Sequence, residues 1–124
     1  MNHSSGHEAD MINVIIHDEF GYIVRCSGCG VLQIAFGNFC VDQSFPEFQR
    51  LAETIALTLK KSQSNKESSL LKSIYLPTPY AGFNLLFTFH ELKKLNDMLQ
   101  TALLIIQAEL LASDHKTDNY NDFN

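Results

Sequence analysis

The 124-residue chain has no tryptophan, three prolines, six glycines and three cysteines, and each scarcity excludes something. So little proline and glycine rules out collagen-like and linker-type chains, and 45% hydrophobic with 19% charged residues is the composition of an ordinary globular domain. An odd number of cysteines argues against a disulfide framework and for thiols that are buried, reactive or metal-bound. No apolar run approaches the roughly 20 residues that cross a bilayer, so no membrane span is expected. The opening MNHSSGHEAD carries neither the basic nor the apolar region of an export signal, so a cytoplasmic location is expected. Basic runs are also missing. The densest are the pairs Lys60-Lys61 and Lys93-Lys94, and a formal net charge of −5 repels nucleic acid. No nucleophile elbow, phosphate loop or paired-carboxylate pattern occurs, so an enzyme is not the expectation.

What is present reads as one α+β domain over residues 11–112, with a flexible stretch over 1–10 and a polar, aperiodic tail over 113–124 expected to be disordered. Met11 to Ile16 and Tyr22 to Arg25 alternate as strands around a loop from His17 to Gly21, which makes an N-terminal hairpin. Val31 to Phe36 alternates again, and the two-residue turn Gly37-Asn38 sets Phe36 opposite Phe39, with Val41 on their face and Cys40 on the other. Ser44 followed three residues later by Glu47 is a capping box, and Phe48, Leu51, Ile55 and Leu59 then recur at helical spacing to about Lys61. Ser62 to Ser69 is polar and reads as a loop.

The second half repeats the first at the Ser44-to-Thr88 offset of 44 residues. Leu76 matches Leu32, Tyr80 and Phe83 flank Ala81-Gly82 as Phe36 and Phe39 flank their turn, and Thr88-x-x-Glu91 reproduces the capping box. Leu92, Leu95, Leu99, Leu103, Ile106 and Leu110 form the buried stripe of the last helix. A single strand-strand-helix unit cannot cover its apolar face. The expected fold is therefore two such repeats forming one antiparallel sheet, with two helices on one face and the N-terminal hairpin strand added.

Cys26-Ser-Gly-Cys29 turns the chain between two strands, which is the shape of half a zinc ribbon. A closed zinc site needs four ligands, and no second Cys-x-x-Cys follows. The start of the first strand lies beside the turn, which brings His7, Glu8 and Asp10 within reach, so Cys26, Cys29 and His7 are the candidate ligands. Two protomers giving Cys26 and Cys29 each would be another route. A thiol-redox enzyme using Cys26 and Cys29 is the alternative. It is disfavoured because a strand follows the pair, so no helix N-terminus acidifies a thiol. The third reading is two thiols without metal. His17 with Asp18 and Glu19, and His90 beside Glu91, read as solvated groups, and Cys40 as a strand thiol.

Tyr22-Ile-Val-Arg-Cys-Ser-Gly-Cys29, Leu32-Gln-Ile-Ala-Phe-Gly-Asn38 and the helix starts Glu47-Phe48 and Glu91-Leu92 carry a resemblance. Over Ile12 to Leu111 the chain resembles a family of small uncharacterised proteins from Bacteroidetes-type bacteria, with one Cys-x-x-Cys turn, a hydrophobic hairpin and two helices. The resemblance implies a stand-alone cytoplasmic domain and no known activity. The functional expectation is a small binding or assembly module, with or without zinc at Cys26/Cys29. Assembly is expected as a homodimer through the C-terminal helix, because Leu104 and Leu111 fall outside its buried stripe.

Overall fold

The computed structural model describes residues 12–63 and 70–122, the last nine of them by backbone alone. Among these residues six strands and two helices follow in the order β1 (Ile12–Asp18), β2 (Gly21–Cys26), β3 (Leu32–Phe36), β4 (Phe39–Gln43), α1 (Phe45–Lys61), β5 (Ile74–Pro77), β6 (Asn84–Phe87) and α2 (Phe89–Asp122). The architecture is α+β, and strand-strand-helix occurs twice behind the N-terminal β1–β2 hairpin.

The first four strands form an antiparallel meander in the order β1-β2-β3-β4. Asp18 faces Gly21 across a two-residue turn, so β1 runs farther than its alternation suggested and His17 and Asp18 lie in the strand, not in a loop. The Asp18 carboxylate holds this turn by accepting the Phe20 and Gly21 N–H groups at 2.8 and 3.2 Å. Phe36 faces Phe39 as expected, with Gly37 at φ 58°, a conformation that a side chain disfavours. A bulge between Val14 and Ile16 interrupts β1.

One face of this sheet is buried. Ile23, Leu32, Ile34 and Phe36 meet Phe48 and Ile55 of α1 and Leu92, Leu95 and Leu99 of α2 in a single core, while Val14, Cys40 and Asp42 on the alternate positions are exposed. Burying each of these large apolar side chains contributes about 1.5–3 kcal/mol, which makes this core the main stabilising element. Gln100 Nε2 donates to the Ala52 carbonyl at 3.2 Å, tying the two helices together beside the small residues Ala52 and Ala102. Met98 and Ala102 are buried although they lie outside the expected stripe, and Leu110 is exposed although it lies within it. The reason is that α2 packs against both α1 and β1, which widens its apolar face over the buried span from Leu92 to Ile106. Beyond Ile106 every side chain described is exposed. The α2 backbone stays helical through Asp122, past Ser113 where the polar composition suggested an end.

The expected single sheet divides into two. β5 and β6 pair with each other and with no strand of the meander. Pro77 and Pro79 remove two N–H donors from this segment, and strands with such gaps sit at sheet edges. The hairpin is also out of phase with its repeat partner. The offset of 44 would set Tyr80 against Phe83, but the ladder ends at Pro77 opposite Asn84. A longer loop follows, in which the Thr78 hydroxyl accepts the Tyr80 N–H at 3.2 Å, the Phe83 N–H reaches the Tyr80 carbonyl at 3.1 Å, and Gly82 takes φ 77°. The helix starts match closely. Ser44 and Thr88 each accept the N–H three residues on, and Glu47 and Glu91 each accept the cap N–H at 2.8 Å.

Candidate functional site

The Cys26–Cys29 turn is closed by its backbone: the Gly30 N–H reaches the Cys26 carbonyl at 2.6 Å and the Cys26 N–H the Val31 carbonyl at 2.9 Å. Cys26 ends β2 half-buried, opposite Ile12, and Cys29 is exposed on the turn. The beginning of β1 therefore lies beside the turn, as expected. His7, Glu8 and Asp10 lie outside the described residues. Among the described residues no three His, Cys, Asp or Glu side chains are grouped to hold a metal ion, and the three cysteines form no disulfide. His17 and Cys40 stand in one row across the sheet, His17–Tyr22–Ala35–Cys40, four residues along β2 from Cys26. β3 follows the turn, so no helix begins at either thiol.

His90 is exposed in the first turn of α2. Its ring lies edge-on to Phe20 at 6.5 Å between centroids, and Lys94 Nζ sits 5.7 Å from the same ring. The tip of the β1–β2 hairpin is thus docked on the start of α2, and His90 takes part in that packing. Glu47 and Glu91 are held as carboxylates by their caps. For Glu47 the Ser44 N–H, then the Ser44 hydroxyl, lower the pKa. For Glu91 burial pushes upward, and it is outweighed by Lys72 and by the Thr88 N–H and hydroxyl, so the net direction is down. Lys72 reaches both Glu91 oxygens, at 2.6 and 2.9 Å.

The feature that sequence reasoning missed is the gap left by the divided sheet. Between β4 and the β5–β6 hairpin lies a cleft of about 660 Å³. Phe39 and Val41 wall it from β4, Leu76 and Phe83 from the hairpin, and Leu51 of α1 and Leu95 of α2 lie along it beneath. Gln43 also lines it, and its Oε1 is shielded from solvent without a hydrogen-bond partner among the described residues. The only local signal was Pro77-x-Pro79, which marks a strand unable to pair on both sides.

A second surface is apolar and open. Leu104 and Leu111 of α2 are 68% and 70% exposed, so the β1–β2 hairpin does not cover them. No helix of the described residues is long and apolar enough to cross a membrane. No curated protein and no solved structure matches the chain. Residues 9–120 match a family of unknown function, DUF6686, and the chain belongs to that family.

Proposed function

We propose that this chain is a small binding and assembly module whose ligand site is the cleft between β4 and the β5–β6 hairpin. The cleft itself carries the reading. Its volume of about 660 Å³ falls in the range of ligand pockets, and its lining is mostly apolar, with Asp42 and Gln43 on the β4 wall and Thr78 and Tyr80 on the hairpin wall. Water in such a concavity is released favourably by any apolar occupant. The test is titration with an anilinonaphthalene sulfonate dye, whose emission rises when it leaves water. Enhancement is expected for the native chain and its loss for Leu76→Lys, with circular dichroism showing that the variant is folded. A folded native chain that leaves the dye dark refutes the reading.

The assembly half rests on α2. Leu104 and Leu111 stand two turns apart, about 10.5 Å along one line of the helix, with Ala108 between them. A twofold axis near Ala108 sets Leu104 of one protomer on Leu111 of its partner and the reverse, so the stripe is complementary to itself. A homodimer through this helix is the assembly proposed.

A further inference from the structure

Resting on the reading of the cleft as a binding site, we infer that its occupant is an extended polypeptide segment of a partner protein, added as a new strand on the edge of β4. β4 is the end strand of its sheet, and it pairs with β3 without interruption from Phe39 to Gln43. In a two-residue hairpin the residues flanking the turn exchange both hydrogen bonds. Phe36 and Phe39 are such a pair, hence so are Ile34 with Val41 and Leu32 with Gln43. Cys40 and Asp42 therefore turn their N–H and C=O groups away from β3, and both residues line the cleft. Edge strands are commonly blunted by a bulge, a proline or a lysine. β1, at the other end of the sheet, has its bulge and β5 has Pro77, whereas β4 has neither, and its one charged residue is Asp42.

An open backbone edge beside an apolar trough is the arrangement by which sheets take up peptides: main-chain bonds supply affinity, and alternate side chains enter pockets. The chain's own undescribed segments do not suit the trough. MNHSSGHEADM, SNKESS and FN contain only Met1, Ala9, Met11 and Phe123 as apolar residues and no apolar alternation. The partner's chemistry follows from the walls. Its inward residues are apolar, to meet Val41, Leu51 and Leu76. Its outward residues are basic, because the exposed Asp42 carboxylate meets, among the described residues, only Gln33 Nε2, at 3.2 Å.

The probe is an acetylated, amidated peptide alternating lysine and valine over six residues, titrated calorimetrically into the full chain. Two further peptides carry N-methyl groups on all lysine nitrogens or on all valine nitrogens. In a strand these two sets of amides point to opposite edges, and β5 lacks the Pro77 donor needed to grip the second edge. One methylated peptide is expected to bind about tenfold more weakly or worse, and the other about as well as the parent. Cys40→Pro removes an N–H that β3 does not use, so the chain should fold and lose the peptide to a similar degree. Equal effects of the two methylation patterns overturn the inference even if Cys40→Pro fails to fold. Dye binding without peptide binding also overturns it while leaving the cleft a binding site; loss of both removes the site itself.

Discussion

A methyl group on Gly21 would stand 1.8 Å from the Ala35 carbonyl oxygen, 2.7 Å from its carbonyl carbon and 2.9 Å from the Phe36 Cα. All three are backbone atoms of β3, so no side chain can swing aside. Relief requires β2 and β3 to part at the rungs Gly21–Phe36 and Tyr22–Ala35, next to the fully buried Ile23 and Ile34. Losing two sheet hydrogen bonds at about 1 kcal/mol each, with about 1–3 kcal/mol of overpacking strain, gives an expected cost of about 3–5 kcal/mol for Gly21→Ala. Urea unfolding followed by circular dichroism measures it. With a slope of about 1.5 kcal/mol per molar, the midpoint should fall by about 2–3 M with the slope unchanged. Gly21→Ala with a midpoint within about 0.3 M of the parent would refute the close approach of β2 and β3 that this reasoning rests on.

Ser44→Ala and Thr88→Ala should each cost about 1 kcal/mol in the same assay, since each removes one side of a capping box. The two carboxylates of those boxes make stability pH-dependent. Their pKa values are lower in the folded chain than the ordinary 4.5, so their contribution is complete above 4.5 and is lost as pH falls through the folded values. Glu47→Gln with Glu91→Gln should flatten the acid limb of the stability curve, and an unchanged limb would contradict the depressed values. Leu104→Glu with Leu111→Glu should yield a folded monomer where the parent scatters light as a dimer, and a parent of single-chain mass at every concentration excludes the dimer. Because the Cys26–Cys29 turn is held by its own backbone bonds, a chelator should leave the unfolding midpoint where it is, whereas a large drop would reveal a structural metal.

The elements legible in the sequence are those whose causes lie within a few residues. Ser44 with Glu47, Thr88 with Glu91, the Gly37-Asn38 turn with Phe36 opposite Phe39, and the stripe from Phe48 to Ile55 all satisfy backbone groups or bury side chains over one or two turns. Thus the sequence by itself determined the element types, the two helix starts and the repeat of strand, strand and capped helix. Tertiary structure decided whatever joins distant segments. The offset of 44 carries no information on whether β4 and the second hairpin share a ladder, because edge pairing depends on donors brought together across α1, and Pro77 and Pro79 withhold them. Met98 is buried and Leu110 exposed because burial on α2 is set by the elements packed against it, α1 and β1, and not by its own periodicity. Arg25 meets Glu109 at 2.6 Å across 84 residues of sequence, and Gly21 is needed because Ala35 lies against it. The cleft belongs to the same class. It is a space between elements, formed because two hairpins that resemble each other in sequence did not merge, and its one local trace in the sequence is Pro77-x-Pro79.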